Sequence, residues 1–427
     1  MRAGGTGLGS TRRWAMAVAL LTLIACLSAA GSAWVAGAQA SPAGFPAAGP
    51  TATQSPATLG DDPAPTIDWT IAPVAVVYGQ TITAQGTVTP ATAGQTVTVA
   101  VDGATVAAPV TDASGAFSAT FVATIGGTVS AILDDGTAGA PLALAVAPKV
   151  TIKAGTALPW GVTKLSVTVL PASYAGRVTA TVYHHGKKAA AAHGRPAAGK
   201  LVLKLHTPGI GKFSVRVATA AAPGFVAAPL VKATLSAPWR RVAVGSKGRY
   251  ARIVLARLAA LRFRVPGVSS SISVAAGDSI VAFQKAYGLP RTYVFGAADW
   301  RKLDVARLIK ARHKSPKTHI EIDKTRQILM IVKGGKPYGI IPVSTGATGN
   351  TPVGRFHILR KAPATSTWLG SAILWRTMDF YGNFAMHGYP EVPAYPASHG
   401  CVREPMWVAD WTYQHSWVGE TVYIYLS

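Results

Sequence analysis

MHGYPEVPAYPASHGCVR, residues 386–403, holds Cys401, one of only two cysteines in a chain of 427 residues. His387 stands fourteen positions before that cysteine (401 − 387) and His399 two positions before it. His387 closes an apolar run, Phe384-Ala385-Met386, and Gly388 follows at once. That order suits an imidazole held at the end of a strand while a proline-rich loop brings the chain round to Cys401. A free thiol has a pKa near ~8.5, so a cysteine nucleophile needs a base at neutral pH. An imidazole within hydrogen-bond reach supplies one, and the resulting ion pair keeps the sulfur nucleophilic. Gly400 has no Cβ, which lets a backbone N–H approach a substrate carbonyl oxygen. The N–H groups of Gly400 and Cys401 are therefore candidates to stabilise an oxyanion. Arg403 is a candidate to grip a substrate carboxylate with two parallel hydrogen bonds; a structural pairing with Glu404 or Glu391 is as good a reading. His399 lies too near in sequence to reach back comfortably and reads as support for the loop. Ser398 and Tyr389 complete the candidate substrate contacts. A lone cysteine is more often a small buried hydrophobe, and it is these neighbours that argue otherwise.

The compartment decides what such a thiol means. Arg2, Arg12 and Arg13 precede an uncharged apolar stretch beginning at Trp14, and Ala38-Gln39-Ala40 is a small-residue cleavage pattern before Ser41 and Pro42. Residues 1–40 read as an export signal. Three forms remain open: cleavage after Ala40, an uncleaved membrane anchor over residues 14–38, and a lipoprotein signal at Leu23-Ile24-Ala25-Cys26. Each predicts an extracytoplasmic location, in the bacterial wall or secreted. Cleavage removes Cys26 and leaves Cys401 without a disulfide partner. The formal net charge of +24, from 41 Lys and Arg against 17 Asp and Glu, favours polyanionic surroundings. Export argues against nucleic acid as the partner, and no zinc-finger or RNA-binding motif is present. Anionic wall polymers and peptide-stem carboxylates fit both the charge and the compartment.

Upstream, the chain reads as a series of modules. Residues 41–65 are Ala, Pro, Thr and Ser with few large apolar side chains, a spacer composition. Over 66–147, QTITAQGTVTP, QTVTVAVDG and GAFSATFVATIGG alternate with period two and predict a small Ig-like antiparallel sandwich. KLSVTVLPA, GRVTATVYHHG and GKLVLKLHTPGIGKFSVRVATA predict a second one over 148–236. His184 and His185 raise the thought of a metal pair. Adjacent strand residues point to opposite faces, so a solvated turn flank is the expectation. Over 239–303 the spacing becomes helical, with Tyr250, Val254, Leu258 and Leu261 on one stripe. DSIVAFQKAYGLP and GAADWRKL supply two more short helices, and the arginines between apolar positions read as a solvated face. Over 316–427, HIEIDKTRQILMIVKGGKPYGIIPVSTG predicts a hairpin about Gly334-Gly335. TPVGRFHIL and ETVYIYLS add strands, and EPMWVADWTYQHS one helix. The expected fold class is mostly β and multidomain.

Two stretches resemble known families. VGSKGRYARIVLARLAALRF with SIVAFQKAYGL looks like the three-helix peptidoglycan-binding family over about 65 residues. MHGYPEVPAYPASHGCVR looks like the signature of the L,D-transpeptidase catalytic domain, the YkuD domain. IEIDKTRQILMIV, PVSTGATGNTPVGRFHI and VGETVYIY fall in that family's order over about 110 residues. The loop from His387 to Ser398 is short for the family, and Arg403 takes a place that is asparagine in some members. The resemblance implies that Cys401 attacks the third-residue carbonyl of a peptidoglycan tetrapeptide stem and releases the terminal D-alanine. His387 would be proton acceptor and donor, and the Gly388 backbone would orient it. His399, Gly400 and Cys401 would offer N–H groups to the oxyanion. A neighbouring stem amine would capture the acyl group in a 3→3 cross-link between glycan strands, with no metal or organic cofactor. Two other readings stand beside this: an L,D-carboxypeptidase in which water takes the acyl group, and a non-catalytic basic wall-binding protein.

Overall fold

The computed structural model describes residues 63–366 and 373–427. The export signal over 1–40 and most of the spacer over 41–65 lie outside the described residues. Among the described residues no helix is long and apolar enough to cross a membrane. The fold is mostly β, as the period-two patterning predicts.

TIDWTIA, Thr66–Ala72, buries every second residue: Ile67, Trp69 and Ile71. This strand pairs with Thr81–Thr89, which pairs in turn with Ala116–Val122. A five-stranded sheet from Ala75–Val77 to Leu142–Ala147 covers it, and Ile82 and Phe117 share one core with Val97, Val99 and Val129. The strands between Lys149 and Ala237 form a second pair of sheets, of three and four strands, around Leu165, Val167, Val182, Val215 and Leu235. Each fully buried side chain of this kind contributes about 1.5–3 kcal/mol.

His184 ends one strand of that second sandwich, and His185 enters a turn with φ 48. The alternation that would separate their side chains stops there. The two rings lie 4.0 Å apart between centroids and both reach Asp304. The expected solvated turn flank is therefore corrected for His184, whose side chain is only 13% exposed.

Three helices follow: α1 (Arg249–Ala260), α2 (Val274–Ala286) and α3 (Ala297–Val305). Ser273 caps α2 by accepting from Ala276 N–H, five residues earlier than the motif DSIVAF begins. The arginines are not one solvated face. Arg257 lies over Trp160 at 4.6 Å and Arg264 over Trp411 at 4.3 Å, burying their aliphatic stems and stacking their guanidinium planes.

Among the described residues the C-terminal domain has nine strands, numbered here within the domain: β1 (His319–Asp323), β2 (Ile328–Lys333), β3 (Lys336–Pro342), β4 (Gly354–His357), β5 (Arg360–Ser366), β6 (Ile373–Tyr381), β7 (Phe384–Tyr389), β8 (Val402–Pro405) and β9 (Thr421–Tyr425). Helix α4 is Met406–Gln414. One sheet has the order β3-β2-β1-β9-β4 and the other β5-β6-β7-β8. The β2–β3 hairpin turns at Gly334 and Gly335, both at positive φ.

Strand β2 does not alternate. Leu329 and Ile331 enter the core between the two sheets, while Ile328, Met330 and Val332 enter a core with Leu258, Phe263 and Phe283 of the helical segment. Phe263 also forms a parallel bridge with Ile340 of β3. The helical segment, read from sequence as a separate unit over 239–303, thus closes the second face of the β3-β2 edge. A strand covered on both faces is a continuous apolar run, and ILMIV is that run.

Candidate active site

Strands β7 and β8 are parallel neighbours, with Met386 opposite Val402 and His387 opposite Arg403. Paired residues project to the same side and alternate residues share a face. His387 and Tyr389 therefore share a face with Arg403, and the Arg403 guanidinium lies over the Tyr389 ring at 4.3 Å. Cys401 stands just before β8, one alternation back from Arg403. Parallel pairing thus brings His387 and the segment entering β8 at Cys401 onto adjacent strands although fourteen residues separate them in sequence, and Cys401 Sγ lies 3.7 Å from Asn383 O.

The loop entering β8 is held from within and from below. Ser398 Oγ donates to Cys401 O (2.6 Å) and accepts from Gly400 N–H (3.0 Å). Thr351 Oγ1 donates to Gly400 O (2.6 Å), and Asn350 Nδ2 donates to His399 O (2.8 Å). Gly400 adopts φ 142, and a Cβ there would stand 2.6 Å from the Phe384 ring. Glycine is needed at this position for both reasons. The Gly400 N–H is already engaged, whereas those of His399 and Cys401 have no intramolecular acceptor among the described residues.

His387 is 3% exposed, and its Nδ1 lies 3.1 Å from Gly388 O. A carbonyl only accepts, so Nδ1 carries the proton and Nε2 keeps a lone pair. Burial first, then the Arg403 charge, depress the imidazole to about 4, against the raising effect of the Gly388 carbonyl. Burial pushes the Cys401 thiol up, with the Asp379 carboxylate adding to it, while Ala385 N–H and Arg403 oppose. Both shifts favour a neutral thiol and a neutral imidazole over the ion pair expected from sequence, because desolvation of the buried imidazole and the partly buried thiol penalises charge separation.

The remaining candidates fall as follows. Arg403 takes part in no ion pair among the described residues. Glu404 is 1% exposed, with neither carboxyl oxygen hydrogen-bonded. The pairing of Arg403 with Glu404 or Glu391 is thereby replaced by stacking on Tyr389. His399 is exposed, and its carbonyl rather than its ring ties the loop. Ser398 is buried and its hydroxyl is spent on the loop itself. At Gly388 a Cβ would meet the Ala409 Cβ of α4 at 2.7 Å.

Residues 317–424 match the family model described as L,D-transpeptidase catalytic domain (YkuD). The chain belongs to the L,D-transpeptidases through this domain. Among solved structures it is similar to the L,D-transpeptidase of Xylanimonas cellulosilytica: 30% identity, 44% of this chain and 98% of that chain covered, TM-score 0.42. It is also similar to an L,D-transpeptidase of Stackebrandtia nassauensis (22% identity, 43% and 94% covered, TM-score 0.30) and to one of Mycobacterium smegmatis (12% identity, 65% and 98% covered, TM-score 0.24). No curated protein matches the chain.

In this L,D-transpeptidase four residues that the motif reading passed over shape the site. Asn350 and Thr351 buttress the cysteine loop; both lie in PVSTGATGNTPVGRFHI, but nothing in their spacing announces the contact. Lys285 of α2 is 1% exposed and donates to Val343 O (2.8 Å) and, at 3.5 Å, to Pro393 O. Arg291 donates to Ala394 O (2.7 Å). The loop between His387 and Cys401 is therefore pinned from the helical segment.

Proposed function

We propose that the protein cross-links peptidoglycan by a cysteine acyl-enzyme. His387 Nε2 takes the Cys401 thiol proton as Sγ attacks the third-residue carbonyl of a tetrapeptide stem. The imidazolium then protonates the departing D-alanine amine, and the C–N bond breaks to leave a thioester. The amine of a neighbouring stem attacks the thioester, losing its proton to His387, and a 3→3 amide forms as the thiol is restored. The free N–H groups of His399 and Cys401 are the donors for the oxyanion. Gly400 contributes by its backbone angle and Ser398 by holding the loop, with Arg403 and Tyr389 lining the same face toward the stem.

One observation carries this reading: a buried His387, its Nδ1 turned to Gly388 O, stands on the strand parallel to the one that Cys401 enters, opposite Arg403. The apolar leader and the +24 charge support an extracytoplasmic location for the catalytic domain, as a wall substrate requires. The test is intact mass after mixing the full chain with a disaccharide-tetrapeptide. A stem-sized adduct with D-alanine released, absent in Cys401→Ala, is the expected result, and a second stem should convert it to a dimer. An adduct on Cys401→Ala, or none on the native chain, refutes the nucleophile. Conversion to free tripeptide alone assigns the acyl group to water.

A further inference from the structure

Outside the active site one group of side chains converges without a role in catalysis. His184 and His185 close a strand of the second sandwich, and Asp304 sits in the last turn of α3. His184 Nε2 and His185 Nε2 lie 3.2 Å and 3.1 Å from the same oxygen, Asp304 Oδ2. All three ligand atoms fall within 4.8 Å of one another, and no other trio of His, Cys, Asp or Glu among the described residues converges so closely. The other carboxylate oxygen, Oδ1, accepts from Ile210 N–H (3.0 Å), which fixes the carboxylate and aims Oδ2 at the two rings.

We propose that His184, His185 and Asp304 bind one divalent transition-metal ion, zinc by ligand chemistry, which ties the second sandwich to the helical segment. Bonds of about 2.0–2.1 Å at tetrahedral angles put neighbouring ligand atoms about 3.3 Å apart. The observed nitrogen-to-oxygen separations match two edges of such a tetrahedron. Two imidazoles and one carboxylate form a donor set suited to zinc. The Ile210 amide supplies the supporting hydrogen bond that ligating carboxylates usually have. The ground is prepared sterically as well. A Cβ at Gly209 would stand 1.7 Å from Asp304 Oδ1 and 3.2 Å from the His184 ring, so glycine leaves the carboxylate its place. Phe213 meets the His184 ring edge-on at 4.9 Å and orients it. Asp304 is 5% and His184 13% exposed, while His185 is 67% exposed. A fourth, water-occupied position would open on the His185 side. The positive φ of His185 is what brings its ring round to join the other two.

The test uses the full chain carrying Cys26→Ala and Cys401→Ala, so that neither thiol can act as ligand, after stripping with a chelator. Titrated cobalt(II) should saturate at one equivalent with the visible bands of four-coordinate cobalt, and zinc should displace it. His185→Ala and Asp304→Asn should each weaken binding at least tenfold, and zinc should raise the unfolding midpoint only when all three ligands are present. His185 is exposed enough that its alanine variant should fold, with an unchanged midpoint in chelator. Absence of saturable binding overturns the proposal, and so does a folded His185→Ala protein that binds cobalt as tightly as its parent. In either case the trio is an ion pair only.

Discussion

At the scale of single residues, the active site is governed by burial. His387 at about 4 is neutral over the whole physiological range, and its capacity as a base is lost only as pH falls through that value. Cys401 sits above the usual thiol range. Iodoacetamide should therefore alkylate the free enzyme slowly at pH 7, with a rate that climbs only in the alkaline range. A plateau already reached at pH 6–7 would mean a preformed thiolate. His387→Ala should abolish acylation by stem peptide, on the order of 10²–10⁴-fold for loss of a positioned base, and stopped-flow acylation reads this directly. Cys401 and His387 were legible in sequence as a candidate pair because residue type carries the chemistry. Their protonation at rest was not, since a motif holds no information about the desolvation that surrounds it.

Elements decide which glycines matter and which strands are covered. Gly388 is glycine because α4 passes 2.7 Å from where its Cβ would be. Gly388→Ala should cost about 1–3 kcal/mol as overpacking between β7 and α4, measured as a lowered denaturant midpoint. Strand β8 buries Glu404 with no partner for its carboxyl oxygens, and burial raises this group from 4.5 to about 8. The folded pKa lies above the unfolded one, so the protonated form is favoured by folding. Its contribution is full below about 4.5 and is lost as pH rises through about 8, a change on the order of a few kcal/mol. Glu420, raised to about 7 by burial, has the same sign. Glu404→Gln should flatten the fall in stability between pH 5 and pH 9, leaving the share of Glu420. A variant as pH-sensitive as the native chain would contradict this. The period-two strands were readable because one face of each sandwich strand meets water. The hairpin about Gly334-Gly335 was readable too, but that ILMIV is covered on both faces was not, because its second face is closed by helices distant in sequence.

For the whole molecule, the helical segment belongs to the catalytic scaffold. It covers Ile328, Met330, Val332 and Ile340, and Trp407 Nε1 of α4 donates to Asp278 Oδ2 of α2 (2.9 Å). Deleting residues 239–303 should yield an insoluble or unfolded catalytic domain rather than an active one with weaker wall binding. A soluble, fully active deletion protein would show the shared core to be dispensable. Lys285→Met should be milder: it leaves Val343 O and Pro393 O without their donor and should slow acylation by loosening the loop ahead of Cys401, with Cys401 still reactive to alkylation. The sequence by itself determined the fold class and the family of the C-terminal domain, and it singled out Cys401 and His387 as the candidate nucleophile and base, because periodicity and residue chemistry are local properties. Tertiary structure alone decided that burial shifts His387 and Cys401 against charge separation, that Arg403 stacks on Tyr389, that Lys285 pins the cysteine loop, and that His185, with His184 beside it, meets an aspartate 119 residues away. Each of these depends on which surfaces exclude water together, and that is fixed only when distant segments pack.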